Sequence, residues 1–555
     1  MLGTLVVVRL ISDSLVGLWA CDTTFGPTIR GELAIQRAGN VWHASIRGLT
    51  LPVAVTGDSV RIALPDSLGQ FRGRLREQDR VISGFWIQPP GFTLSQAYAT
   101  PLVLRSTKRD VWIGTIVPLE DRFTLYLSIS RRSDGSLAGV FRNPQQNWPG
   151  AWLRFALTQE GDSVRLAVPA DNAQPGMRLA GRLDGRTLTL RVPESSQQLV
   201  LKPIDSTQAV GLYPRLPRGQ PYGYRRPPQI GDGWRTARAS DAGFDEAALA
   251  RLVQQIVDTN PLDPRAPLIH SLLIARRGRL VLEEYFYGFT RDRPHDSRSA
   301  GKTFASVMLG AAMLRGAPIA SDSTVKDGIT VAHLLTHTSG LACDDNDDHS
   351  PGNEETMQSQ TNQPDWWQYI LDLPIVHEPG THYAYCSGGM NLVGRSLTKA
   401  TGKWLPELFD ETIARPLGFG RYHFNLMPTL EGYQGGGVRL RPRDLLKLGQ
   451  AYLDGGVWDG RRLVSRAWVE QSTTQQVPDS QQSADGYAWH RSTLRVGDKG
   501  YREYEANGNG GQFLMVVPEL DLVVVFTAGN YRHGGVWLKF RSVLVPQMII
   551  PAIRR

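Results

Sequence analysis

The residues best suited to chemistry lie in Asp296-Ser-Arg-Ser-Ala-Gly-Lys-Thr-Phe-Ala-Ser-Val-Met-Leu-Gly310. Ser299 and Lys302 stand three positions apart at the start of an apolar run, so on a helix their side chains share one face. A serine hydroxyl attacks a carbonyl only when a base takes its proton, and a desolvated lysine with a lowered pKa is such a base. Nine of the 61 basic residues are lysines and the other 52 are arginines. Guanidinium keeps its proton and cannot act as a base, so a lysine in this slot is informative. Two other readings apply to the same residues. Ala300-Gly-Lys-Thr303 looks like the end of a phosphate-binding loop, but that loop needs a glycine where the chain has Asp296 and a buried strand where it has Arg291-Asp-Arg-Pro-His-Asp296. A surface lysine on an amphipathic helix is the plain alternative.

Four further strings follow in order: Ile329-Thr-Val-Ala-His-Leu-Leu-Thr-His-Thr-Ser-Gly-Leu341, Glu378-Pro-Gly-Thr-His-Tyr-Ala-Tyr-Cys-Ser387, Gly435-Gly-Gly437 and Asn507-Gly-Asn-Gly-Gly-Gln512. With Ser299-x-x-Lys302 they make residues 240–550 resemble the serine β-lactamase and penicillin-binding-protein superfamily. The branch they are most similar to holds class C-type esterases, D-alanyl carboxypeptidase-like hydrolases and 6-aminohexanoate-dimer hydrolases. The resemblance implies an α/β sheet flanked by helices plus an all-α subdomain, with the site between them. It implies Ser299 as the acylated nucleophile, Lys302 as its base and Tyr385 as the proton shuttle to the leaving group. A phenol of pKa near 10 suits that role only beside a cation such as Lys302. The oxyanion hole would combine the Ser299 N–H with one near Asn509 and Gly510, and Ser387 stands where the family's Y-x-N motif has its asparagine. Tyr383 is an alternative to Tyr385. His333, His337 and Ser339 read as packing and turn residues. Neither a metal nor an organic cofactor is expected.

Two departures bear on substrate. Ser387 removes an amide that would orient Lys302. Glu505-Ala-Asn-Gly-Asn-Gly-Gly-Gln512 carries no cation where the family usually has lysine or histidine, and Glu503 and Glu505 are near. An anionic substrate would therefore lose its partner, which points to neutral esters or amides, peptide-like ones included. A D-Ala-D-Ala carboxypeptidase or β-lactamase is the alternative within enzymes, and a non-catalytic ligand-binding or sensor scaffold is the alternative outside them.

The elements that must position these residues form the second half of a multidomain chain. The first two hundred residues alternate short apolar runs with turn residues, which is strand punctuation. Gly57-Asp-Ser-Val-Arg-Ile-Ala-Leu-Pro65 recurs as Gly161-Asp-Ser-Val-Arg-Leu-Ala-Val-Pro169, within loosely matched surroundings at 31–48 and 124–141. This predicts tandem all-β modules, each a small barrel or sandwich, over 1–105 and 106–205. A Pro- and Gly-rich linker follows at 206–238, then the hydrolase domain at 239–555. Its opening helix should place Leu249, Leu252, Val253, Ile256 and Val257 on one face, and 271–288 and 514–529 read as strand pairs.

Composition excludes other classes. Hydrophobic residues make up 41% and charged residues 21% of 555, enough for a buried core. No apolar run is long enough to span a membrane. The net charge of +8 is spread through every segment, with no stripe for nucleic acid. The first residues, Met1 to Thr24, lack a clear signal peptide: Arg9 and Asp13 interrupt the apolar stretch, and Leu18-Trp-Ala-Cys21 is a poor lipoprotein box. Residues 16–20 read instead as a first strand, while the family resemblance favours a secreted or periplasmic location. Three cysteines build no framework. A bridge between Cys343 and Cys386 and a set of free buried thiols both stay open. Cys343-Asp-Asp-Asn-Asp-Asp-His349 reads as a hydrogen-bonded loop over a calcium site, since it lacks the glycine and distal glutamate of an EF-hand. Trp366 and Trp367 read as core over cleft wall. Oligomeric state is not legible.

Overall fold

The computed structural model describes residues 13–24, 29–76, 78, 80–90, 96–119, 122–143, 153–168, 176–192, 198–477 and 486–554. Pro169 and the first twelve residues, Arg9 among them, lie outside this set. Among the described residues no helix is long and apolar enough to cross a membrane.

The N-terminal half is all β, but its strands interleave. Gly17–Thr24 pairs antiparallel with Arg122–Arg131 and also with Gln198–Pro203, closing a barrel of eight strands whose others run from 137 to 191. Residues 31–116 form a second, open sheet inserted after the first barrel strand. Two consecutive modules with a boundary at 105/106 are thus corrected to a barrel carrying an insertion. Local alternation reveals strands, whereas the closing of first strand on last joins residues over 180 positions apart and leaves no local trace. The repeated string is the same hairpin in both. Val60 and Ile62 are buried with Arg61 outside, as are Val164 and Leu166 with Arg165 outside. Each turn opens on a left-handed glycine, Gly57 at φ 60° and Gly161 at φ 59°. An arginine of the next strand reaches each turn aspartate: Arg74 to Asp58 at 3.2 Å, Arg182 to Asp162 at 2.9 Å.

The proline-rich stretch is a strap on the hydrolase domain. Tyr222 and Arg215 both bond Glu284, the Tyr224 hydroxyl donates to the Val281 carbonyl at 2.8 Å, and Trp234 is buried. The domain's seven-stranded sheet has Ile269–Arg276 and Leu522–Ala528 at its centre, with Gln512–Val517 and Lys499–Gly508 alongside. The strand Ile269–Arg276 is buried throughout, so its side chains feed two cores. Leu272 and Ile274 meet the helix Glu246–Val257, whose Leu249, Leu252, Val253 and Ile256 are buried. Asp245 caps that helix by accepting from the Ala247 N–H. Leu273 and Ala275 face the other core, with Pro442–Leu453 and the apolar helix Thr303–Leu314. Helices over 331–414 complete this side and pack on Ser387–Thr401.

The open sheet does not end in the N-terminal half. Phe424–Leu426 of the hydrolase domain pairs antiparallel with the strand Ala97–Lys108, in register Phe424 to Ala99, Asn425 to Tyr98 and Leu426 to Ala97. Phe85, Ile87, Ala97 and Ala99 share one core with Phe304, two residues after Lys302.

Candidate active site

Ser299 lies on a tight helical turn, Arg298–Lys302, that runs into Thr303–Leu314. Ten residues of that helix are buried, which fixes the turn from behind. Arg298, just before Ser299, has φ 48°, a left-handed conformation that costs a non-glycine residue about 1–3 kcal/mol. The surroundings hold it there. Its N–H donates to Asp296 Oδ1 at 2.8 Å, and its carbonyl accepts from the Gly437 N–H at 2.9 Å. Buried Asp296 also pairs with the Arg298 and Arg439 guanidinium groups, each at 3.2 Å. Backbone crowds the turn from two sides. A Cβ on Gly436 would stand 2.8 Å from the Arg298 carbonyl oxygen, and one on Gly508 would stand 2.5 Å from that of Ser297. Only glycine permits either approach.

Lys302 Nζ donates to Ser299 Oγ at 3.1 Å and to the Gly435 carbonyl at 2.5 Å, and it stands 4.9 Å from the Tyr385 ring centroid. The side chain is 3% exposed. Burial alone would lower its pKa. The negative charge on Tyr385, when that oxygen bears one, acts with Glu354 and Asp345 to outweigh burial, and Lys302 is held above its ordinary value. This corrects the expectation of a lysine with a lowered pKa. Desolvation was legible in the apolar run, but the opposing charges come from Tyr385 and then from Glu354 and Asp345, which only the fold brings to Lys302.

Tyr385 is carried on a loop fastened at several points. Cys386 is bridged to Cys343, with Cα atoms 5.4 Å apart. The Ala384 N–H reaches the His337 carbonyl at 2.9 Å, and the Cys386 N–H reaches His337 Nδ1 at 3.1 Å. Burial and then the charge of Lys302 keep His337 well below its ordinary pKa, so it is a neutral acceptor that shapes the loop. His333 closes a capping box with Thr330, and Ser339 accepts from the Leu341 N–H. Of the two tyrosines, Tyr385 lies over Lys302, and Tyr383 lies beside the His337 ring at 5.9 Å. Ser387 is fully buried at the start of its helix and gives both its N–H and its hydroxyl to Asp345 Oδ2, at 2.8 and 2.6 Å. Burial and then Glu354 push Asp345 up to about 6. Elsewhere in the acidic loop Asp344 accepts from the Asn346 N–H and Asp347 from the His349 N–H, each at 2.9 Å. Cys21, the third cysteine, is free and buried in the first barrel strand.

A cavity of ≈ 260 Å³ opens at Ser299 and extends past Gly435, Gly436 and Gly437 to Asn509. The Asn509 side chain is turned toward the neighbouring loop, where Oδ1 accepts from the Arg532 N–H at 2.7 Å. Gly510 pairs with Asn530 beside Tyr531 and stands behind this lining. The stretch 505–512 carries no cation, but two arginines from elsewhere, Arg298 and Arg532, line the cavity, so the expectation that an anionic substrate would find no cationic partner is corrected. They come from the nucleophile turn and from a later loop, positions the motif string does not cover. Their charge is opposed locally, Arg298 by Asp296 and Arg532 by Glu355 at 4.0 Å. Glu503 and Glu505 do not face the cavity charge directly. Both are buried in their strand, Glu505 paired with Arg541 at 2.7 Å, and burial with the Glu505 charge holds Glu503 well above its ordinary pKa.

Several lining residues escaped the motif reading. Tyr433 donates to Glu354 and is backed by the edge of Trp366 at 5.4 Å. Its place two residues before Gly435 was the available signal. Gln96 and Tyr98, from the inserted sheet, had none, because strand pairing across 327 positions is invisible locally.

The β-lactamase family model matches residues 269–535. The chain is 26% identical over 222 residues to a 6-aminohexanoate-dimer hydrolase of Paenarthrobacter ureafaciens, covering 36% of this chain and 56% of that protein. It is 25% identical over 214 residues to the D-alanyl-D-alanine-carboxypeptidase/endopeptidase AmpH of Escherichia coli strain K12, covering 34% and 54%. The chain thus spans about half the length of the curated relatives it matches. Among solved structures, a penicillin-binding protein from Bacillus halodurans aligns at 14% identity and TM-score 0.42, over 53% of this chain and 98% of its own. Simvastatin synthase from Aspergillus terreus aligns at 17% and TM-score 0.41, over 55% and 96%. Residues 269–535 are thus a β-lactamase-family domain, of the serine β-lactamase and penicillin-binding-protein-like type.

Proposed function

We propose that the protein is a serine acyl hydrolase that cleaves a small ester or amide through an acyl-enzyme on Ser299. The observation that carries this is the 3.1 Å contact of Ser299 Oγ with Lys302 Nζ at the mouth of a polar cavity. A lysine that keeps its proton holds the serine and the Tyr385 oxygen as an ammonium, and the Tyr385 oxygen takes the Ser299 proton as Oγ attacks the substrate carbonyl. The phenol then gives that proton to the departing alcohol or amine. In the second half, it takes a proton from water as the water oxygen attacks the acyl carbon, and it returns that proton to Ser299 Oγ as the bond to the serine breaks and the acid leaves. Backbone N–H groups at Ser299 and near Asn509 are assigned to the developing oxyanion. Ser387 is assigned to hold Asp345, which supports the charge on Lys302. Because the two cavity arginines have acidic partners, neutral polar substrates remain the best match.

The test is a substrate panel on the full chain. Short p-nitrophenyl esters should be turned over, with Ser299→Ala reducing kcat/KM by about a thousandfold or more. Nitrocefin should be a poor substrate. Nitrocefin hydrolysis faster than that of every ester would overturn the substrate assignment.

A further inference from the structure

The inserted β-sheet meets the hydrolase domain beside the nucleophile, and the junction is built, not incidental. Asn425, which is in register with Tyr98, donates from Nδ2 to Gln96 Oε1 at 2.8 Å, two residues before that tyrosine. Thr100 Oγ1 and His423 Nδ1 share a buried hydrogen bond of 2.6 Å. The Arg439 guanidinium stands 5.6 Å from the Tyr98 ring centroid while pairing with Asp296, three residues before Ser299. Tyr98 is 3% exposed and Ala99 fully buried, so core packing fixes the strand Ala97–Lys108, which half-buried Gln96 immediately precedes. Gln96 and Tyr98 line the same cavity as Ser299.

We propose that this N-terminal sheet is part of the active site, and that Gln96 reads the acyl group of the substrate. The inference rests on Ser299 being the nucleophile. The described residues lining the cavity include Ser299 and not Tyr385, which serves the leaving group in that mechanism. On that mechanism the cavity is assigned to the acyl group. With Oε1 engaged by Asn425, the Gln96 amide has its Nε2 donors to offer, with the Arg298 guanidinium as a second donor on the cavity lining. An alkyl acyl chain would strip water from these groups and return nothing, whereas an acyl chain bearing a carbonyl would satisfy them. The substrate class is an ester or amide whose acyl part carries a hydrogen-bond acceptor, and Gln96 is its specificity-determining contact.

The test compares two isosteric esters on the full chain: p-nitrophenyl N-acetylglycinate, with the acceptor, and p-nitrophenyl 4-methylpentanoate, without it. Wild type should favour the first in kcat/KM. Gln96→Leu removes the donors, and Gln96→Glu keeps the shape and the acceptor for Asn425 but replaces the donors with an acceptor. Each should lower the ratio by about tenfold or more, the size expected for one lost hydrogen bond to a bound group. Val103→Thr, on the exposed side of the same strand, should leave the ratio as it is. A ratio within twofold of wild type in the Gln96 variants overturns the inference; either variant that folds is sufficient. Fluorophosphonate labelling of wild type, run in parallel, separates the two failures. Labelling with an unmoved ratio defeats the role of Gln96 alone, and no labelling defeats the nucleophile with it.

Discussion

The two β units begin from one repeated hairpin and end in different situations. In the barrel, Gly17–Thr24 closes on Gln198–Pro203, every strand has two neighbours, and no described residue of it lines the cavity. In the inserted sheet the long strand Ala97–Lys108 outruns its neighbour, and its open edge is taken by Phe424–Leu426. The lesson is that the hairpins are alike and the edges are not. A closed barrel abolishes its edges and is left with its own core, whereas an open edge can be paired by another domain and so acquire a share in its site.

The largest expected effect comes from emptying the two cores in parallel. Phe85→Ala and Phe155→Ala each remove a buried ring, at about 3–5 kcal/mol. Phe85 lies in the core shared with Phe304 and touches Trp404 at 5.4 Å, so its loss should lower the melting temperature of the hydrolase domain and its activity together. Phe155→Ala should destabilise the barrel while ester hydrolysis below the barrel's transition is unchanged. Equal loss of activity in both would break the comparison. Thermal unfolding and ester assays on the full chain decide it.

A pH difference of similar size should follow. Asp345 is held at about 6 in the folded state against about 3.9 unfolded. A folded pKa above the unfolded one gives stability that is present below pH 4 and lost as pH rises through 6, amounting to about 3 kcal/mol. Asp345→Asn should flatten this slope in the hydrolase transition. The barrel, in which no carboxylate is buried among the described residues, should not show it.

A smaller effect tests the seam. Thr100→Val deprives His423 of its partner and should cost about 1–3 kcal/mol. Smallest are the two hairpin clamps: Arg74→Ala and Arg182→Ala remove exposed pairs and should each cost less than about 1 kcal/mol. Their near equality would mark the local likeness of the two units, and the Thr100 result their difference at the edge.

The sequence reading reached furthest where structure is local. Alternation gave the strands around Val60 and Val164, helical spacing gave Leu249 to Ile256, and the motif strings carried Ser299, Lys302 and Tyr385 to one place. What it could not reach was set by distant pairing. The charge of Lys302 is raised by Tyr385 and then by Glu354 and Asp345, one cavity cation comes from a later loop, and Gln96 leads into an inserted sheet. Each of these is a tertiary contact, so no period or spacing records it, even where the residue stands beside a motif, as Arg298 does beside Ser299 and Asp345 beside Cys343.

The central claim is the nucleophile, and mass spectrometry after exposure to a fluorophosphonate tests it most directly. The account predicts one adduct per wild-type chain, mapped to the peptide bearing Ser299, and none on Ser299→Ala. An adduct of equal yield on Ser299→Ala, or an unlabelled wild type that turns over no p-nitrophenyl ester, would contradict it.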